Sequence, residues 1–278
     1  MLTASDVWFG YAADRPALKG VSITVAPDAV VGILGPNGSG KTTLLRVLAG
    51  TRHPQRGTVL LDGAPLAHTP RALLARRLAV VPQETQLAFD YTVAEVAMMG
   101  RYPHLGAFEI EGPRDITMVE AALASTGTRH LQDRLFATLS GGEKQRVVIA
   151  SALAQIGENG EDGGNGTSVT SRYLLLDEPT ASLDLAYQLE VAALVREIHH
   201  QGRAGIVIST HDIGLAGTLC DSLVLLREGA VVASGATADV LTPENLQRVY
   251  GVETEISRHA SGQLVVVPIR RSAGGPRA

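Results

Sequence analysis

Three short stretches of this chain carry residues whose types and spacing suit work on a phosphate. Gly35-Pro36-Asn37-Gly38-Ser39-Gly40-Lys41-Thr42 fits the pattern G-x-x-x-x-G-K-[ST] without a mismatch. Glycines let successive backbone N–H groups close around phosphate oxygens, and a following helix start favours anions. In that setting Lys41 reaches the β- and γ-phosphates and the Thr42 hydroxyl ligates Mg²⁺. Tyr173-Leu-Leu-Leu-Asp177-Glu178 is an apolar run ending in two acids. Beside a phosphate loop, Asp177 can hold the metal through water, and Glu178 can orient and deprotonate an attacking water. Neighbours on a strand point oppositely, so the two acids share a side only if the strand has ended; Pro179 supports that.

The third stretch is Leu139-Ser140-Gly141-Gly142-Glu143-Lys144-Gln145-Arg146. Ser-x-x-Glu before an apolar run is a capping box, which needs no ligand. It leaves the paired glycines unexplained, because glycine in a helix costs up to ~1 kcal/mol against alanine. Backbone open to a close ligand explains them. A helix dipole contributes only about 0.3–2 kcal/mol, whereas fixed donors at a reacting phosphate contribute roughly 3–4 kcal/mol each. Ser140 and the Gly142 N–H are therefore expected as donors, with the dipole secondary.

These stretches need an α/β body to hold them. Ala29 to Leu34 is a continuous apolar run, as in a strand covered on both faces, and Thr42 to Ala49 reads as the helix after the loop, stopped by Gly50. Val21, Ile23 and Val25 alternate with polar residues like a half-buried strand. Gly57–Asp62, Leu78–Val81, Arg172–Asp177 and Gly205–Thr210 read as further strands, and Leu223–Leu226 with Ala230–Ala233 as a hairpin around Glu228-Gly229. Thr92–Met99, Pro113–Ser125, Gly142–Gln155, Leu185–His200 and Pro243–Tyr250 read as helices. One domain over 1–278 is expected, with an α/β core at about 1–84 and 172–278. A helical subdomain fills about 85–156, and the Gly- and Asn-rich stretch 157–171 is expected to be a flexible loop.

Composition sets bounds. The chain of 278 residues is 45% hydrophobic and 19% charged, which is ordinary for a globular protein. A formal charge of −4 gives no drive toward nucleic acid. The lone Cys220 allows no internal disulfide and reads as a small buried apolar residue. No apolar run approaches the ~20 residues of a membrane-spanning helix, and the start lacks the pattern of an export signal. Action at a membrane is therefore expected to go through a partner.

Together the ordered motifs resemble the ATP-binding cassette (ABC) ATPase family over nearly the whole chain, Leu139 to Glu143 matching its signature. The resemblance implies a P-loop NTPase of the α/β class: a RecA-like core, an N-terminal antiparallel β subdomain and an inserted helical subdomain. It implies ATP and Mg²⁺ as ligands. ATP contacts would come from Gly35, Pro36, Asn37, Gly38, Ser39, Gly40, Lys41, Thr42 and Thr43. Tyr11 matches the aromatic that stacks on adenine, with Trp8 and Phe9 as alternatives. Gln83 matches the glutamine that senses the metal, alongside Thr42 and Asp177. His211 matches the switch histidine at the γ-phosphate, working with the catalytic Glu178. Ser140, Gly141, Gly142 and Glu143 would serve the ATP of a partner chain, and Ser182 and Asp184 match the loop that crosses the dimer interface. Asp28 stands where the family has glycine, and it still suits a turn.

Gly100-Arg101-Tyr102-Pro103-His104 is similar to a segment in importers of iron chelates, haem and cobalamin. There this neighbourhood receives a permease helix, so Arg101, Tyr102 and His104 are expected as permease contacts. Extra residues at 157–171 and Leu185-Ala-Tyr-Gln188 resemble the haem-import members of that group. The resemblance thus implies a homodimer of ATPase subunits beneath two copies of a transmembrane permease. It would be fed indirectly by a periplasmic or surface substrate-binding protein, at the cytoplasmic face of the bacterial inner membrane. Haem is the favoured cargo, with ferric siderophore or cobalamin import as the alternative. A soluble ATPase of iron–sulfur cluster assembly is the further one.

Overall fold

A computed structural model of the chain describes residues 1–12, 14–157, 171–181, 183–260 and 264–272. In order, its strands and helices begin with β1 (Leu2–Ala12), β2 (Arg15–Val25), β3 (Val30–Leu34), α1 (Lys41–Leu48), β4 (Arg56–Leu61), β5 (Ala64–Pro65), α2 (Arg71–Ala75) and β6 (Leu78–Val81). Next come α3 (Val93–Met98), α4 (Pro113–Ser125), α5 (Gly141–Ile156), β7 (Tyr173–Asp177), α6 (Leu185–His200), β8 (Gly205–Thr210) and α7 (Ile213–Leu219). The chain ends in β9 (Ser222–Arg227), β10 (Ala230–Ala236), α8 (Thr237–Val240), α9 (Pro243–Tyr250), β11 (Val252–Arg258) and β12 (Leu264–Arg271). Short 3₁₀ turns lie between them, among them Met99–His104.

The chain divides into two compact units, 1–67 with 206–278, and 68–205. This differs from the expected division at about 84 and 172. β6, β7 and α6 group with the helices rather than with the first residues of the chain. The reason is local packing: α5 lies on both β6 and β7, and α4 and α3 lie on α5.

In the first unit, β1 pairs antiparallel with β2 and β4. β3 runs parallel to β8 and β9, and β9 turns back into β10. All five residues of β3 and all six of β8 are buried, which accounts for the apolar runs Val30–Leu34 and Ile206–Ile208; Ser209 and Thr210 are buried polar residues at the end of β8. The hairpin turn places Glu228 at φ 52° and Gly229 at φ 82°, the paired positive values of a type I′ turn. Gly229 accepts from Lys19 N at 2.8 Å and donates to Ser39 O at 3.0 Å, tying β2 and the phosphate loop to this turn. Cys220 is buried beneath Gly32, where a Cβ would come within 2.8 Å of its sulfur.

In the second unit, β6 and β7 pair in parallel. Thr92 and Glu95 close a capping box on α3, with Thr92 N donating to Glu95 Oε2 at 2.7 Å. α4 starts at Pro113, a position where the missing N–H costs nothing. Among the described residues no helix is long and apolar enough to cross a membrane.

Candidate functional site

The phosphate loop lies between β3 and α1, in the first unit. Its glycines are required by geometry. A Cβ on Gly35 would lie 2.3 Å from Leu226 O, and Gly40, at φ 105°, would push one to 2.7 Å from Ala17 O. α1 therefore begins on a left-handed glycine with no side chain capping its first amides. N–H groups at a helix start are the donors that anions engage. Lys41 is 5% exposed, and its ammonium donates to Gly35 O at 2.9 Å and Pro36 O at 3.3 Å, which folds the loop over it. The buried Ser39 hydroxyl has no hydrogen-bond partner. An orphaned hydroxyl, uncapped amides and a buried ammonium form a donor-rich cradle that fits the phosphates of a nucleotide.

Three aromatics near the end of β1 separate by environment. Phe9 is core, and Trp8 is engaged by Asp6 (Nε1 to Oδ1, 3.0 Å) and by the Arg56 guanidinium over its ring. Tyr11 is 58% exposed, packed edge-on against Phe9, with Arg46 of α1 donating to its hydroxyl at 3.2 Å. Burial pushes the Tyr11 phenol up, but hydrogen bonds from Thr43 and Arg46 and the charges of Arg46 and Arg52 outweigh it, so the net shift is downward. His211, also in this unit, follows β8 on the exposed turn before α7. The next residue, Asp212, caps α7 by accepting from Leu215 N at 2.9 Å.

The second unit carries the two acids. Asp177 is the buried last residue of β7. Glu178 has φ 47°, a left-handed value that is strained for a residue with a Cβ. The strand thus ends between the two acids, as the spacing required. Glu178 O accepts from Ala181 N at 3.0 Å, which starts the turn toward α6. Gln83 lies exposed just beyond β6. Asp184 caps α6, accepting from Tyr187 N at 3.1 Å. Ser182 and residues 158–170 lie outside the described residues.

The signature is also in this unit, at the start of α5. Its capping box is complete: Ser140 N donates to Glu143 Oε2 at 2.8 Å, and Glu143 N to Ser140 Oγ at 3.3 Å. The hydrogen bond from Ser140 N holds the Glu143 carboxyl below its usual range. Ser140 Oγ accepts from Glu143 N, and its hydroxyl also bonds the Glu143 carboxylate.

The glycines differ from expectation. Gly141 is exposed, but Gly142 is buried against Tyr187, whose Cδ1 would lie 2.3 Å from a Cβ at 142. In this structure Gly142 is open to no ligand from that side. A second expectation also changes. Arg101 is 2% exposed; its Nε bonds Asp115 Oδ1 at 2.9 Å and its Nη1 bonds Ala154 O at 2.7 Å. The ring of His104 bonds Gln155 O at 2.7 Å. These two side chains cap the last turn of α5, where carbonyls point outward. Gly100 presses so close to α5 that a Cβ would reach 2.1 Å from Ser151 O. Arg101 is thus internal, and Tyr102, 55% exposed, is the residue of the three that faces solvent most openly. Sequence reading expected Arg101 as a permease contact because its partner, Asp115, is on another element.

The ABC transporter family matches residues 18–158 of the chain. The chain is 43% identical over 254 residues to the hemin import ATP-binding protein HmuV of Bordetella pertussis, covering 91% of this chain and 94% of that protein. To the protein of the same name from Gloeobacter violaceus it is 44% identical over 258 residues, covering 92% and 90%. Among solved structures, an inward-facing putative metal-chelate type ABC transporter superposes with a TM-score of 0.79 at 26% identity, over 96% of both chains. The phosphate loop, the strand-end acids, the signature and these likenesses place the chain in the ABC transporter family, among its ATP-binding proteins.

Proposed function

We propose that the chain is the ATP-hydrolysing subunit of a bacterial importer and that its cargo is haem. The cradle of uncapped amides, Ser39 hydroxyl and Lys41 ammonium carries the ATP assignment. The relatives named for hemin import, at 43% and 44% identity over nearly their full length, support the cargo.

In this reading the loop amides and Lys41 hold the phosphates, Thr43 stays with the loop, and Tyr11 offers its exposed ring to the adenine. Thr42, Gln83 and Asp177 supply a hydroxyl, an amide oxygen and a carboxylate, the all-oxygen set that hard Mg²⁺ takes. The ion would neutralise charge on the phosphates. Glu178, on the turn its left-handed φ makes after β7, takes the proton of the attacking water. His211 serves the γ-phosphate. Ser140 and its neighbours serve the ATP of a second copy of the chain, so the working unit is a homodimer. No spanning helix is available among the described residues. A separate permease therefore carries the cargo, with this chain peripheral at the inner face of the membrane, where Tyr102 is the candidate contact.

Reconstitution with the permease encoded beside this chain tests the reading. Haem delivered by its binding protein is expected to raise ATP turnover above the basal rate, while ferric siderophore and cobalamin leave it unchanged. Stimulation by either of those in place of haem would overturn the cargo.

A further inference from the structure

We infer that Tyr187 is a positioning residue for the signature helix, and that its ring fills the space a side chain at residue 142 would need. The inference rests on the reading of the chain as an ATPase that uses its signature.

A Cβ at 142 would lie 2.3 Å from Tyr187 Cδ1, 2.6 Å from Cγ and 2.9 Å from Cε1. These atoms include the root of the ring, which cannot swing aside as a flexible chain end can. At Gly141 the corresponding neighbour is only the tip of Leu183, at 3.3 Å. The ring is aimed by its backbone, because Tyr187 N donates to the Asp184 cap of α6. One turn along each helix, Arg146 Nη1 bonds Glu190 Oε2 at 2.5 Å. The first turns of α5 and α6 are therefore latched twice, once by shape and once by charge. Before α6, Ala181 N bonds Glu178 O, Leu183 N bonds Thr180 O, and Gln188 Nε2 bonds Leu183 O at 2.9 Å. Tyr187 links the half-site offered to a partner with the acid that works on the chain's own nucleotide.

Helix propensity and this contact predict opposite signs for one substitution. Alanine is the better helix former, so Gly142→Ala should stabilise α5 where nothing is in the way. Against the Tyr187 ring it should destabilise. The test compares Gly142→Ala, Tyr187→Ala, Tyr187→Phe and the double variant Gly142→Ala/Tyr187→Ala in the full chain. Urea midpoints and Mg-ATP turnover are both measured. Gly142→Ala is expected to lower the midpoint and cut kcat about 10- to 100-fold. The double variant should regain stability and at least about tenfold of that loss, the non-additivity of residues in contact. Tyr187→Phe keeps the ring and should stay within about twofold of wild type in kcat, while Tyr187→Ala lowers kcat with KM for ATP unchanged.

A double variant as unstable and inactive as Gly142→Ala overturns the inference, as does a Gly142→Ala chain more stable than wild type. Should the wild-type chain hydrolyse no ATP, the functional reading fails. The urea midpoints of the four variants still decide the Tyr187 contact.

Discussion

Replacing Arg101 with alanine separates an internal strut from a partner contact. Its side chain is 3% exposed and that of Asp115 13%. Removing one member of a buried pair typically costs about 3–5 kcal/mol, because the other charge is left buried. Asp115 keeps some access to water and still accepts from Gly112 N at 3.0 Å, which places the cost at the low end, about 3 kcal/mol. The Ala154 carbonyl also loses its donor. At roughly 2–4 °C per kcal/mol for a chain of this size class, the melting temperature should fall by about 6–12 °C. Thermal unfolding by circular dichroism measures the shift, and urea unfolding the free energy. The apolar pair Arg101→Met/Asp115→Leu should cost much less than Arg101→Ala and Asp115→Ala summed, since no charge is stranded. Burial raises the Asp115 carboxyl, but the Gly112 and Arg101 hydrogen bonds outweigh it, so its pKa is lowered on folding. Its contribution is complete above the ordinary aspartate value of about 3.9 and declines as pH falls through the lower folded value. If Arg101→Ala stays within about 0.5 kcal/mol of wild type, the residue belongs to the surface and the capping account of α5 is wrong.

Other consequences are simpler to read. Burial, with Asp221 beside it, pushes the Cys220 thiol up to about 12. Native protein at pH 8 should therefore react with a thiol reagent orders of magnitude more slowly than urea-unfolded protein, and comparable rates would contradict the packing of β3 on Cys220. Lys41→Ala strips the charge from the phosphate cradle and should weaken ATP binding at least about tenfold by equilibrium titration. Unchanged affinity would remove the loop from the site. In mixed dimers, Ser140→Arg should silence the nucleotide held by the partner's phosphate loop. Loss confined to the mutant chain's own nucleotide would contradict donation across the dimer.

Much of the site could be read because its determinants are local. Gly35 to Thr42 and Ser140 to Glu143 each specify a loop and a helix start within a few residues, and both form there. Asp177 and Glu178 were separable because Pro179 marks the end of the strand. What escaped is tertiary. Nothing near Gly142 in sequence announces the ring at 187 that packs against it. Arg101 was expected as a permease contact because a charged residue in a turn is usually exposed; its burial depends on Asp115 and on the end of α5. α7 was missed because Gly214 and Gly217 interrupt its pattern, although Asp212 is a legible cap. α2 is one short turn after Pro70, below the length at which periodicity speaks.

The central claim is that Glu178, on its strained turn after β7, takes the proton from water in ATP hydrolysis. Glu178→Gln preserves shape and removes the base. Single-turnover and steady-state hydrolysis of Mg-ATP, with bound nucleotide and oligomeric state followed together, measure the effect. The account predicts ATP bound as in wild type, an accumulated dimer and turnover lower by at least about 100-fold. Hydrolysis at the wild-type rate would contradict it.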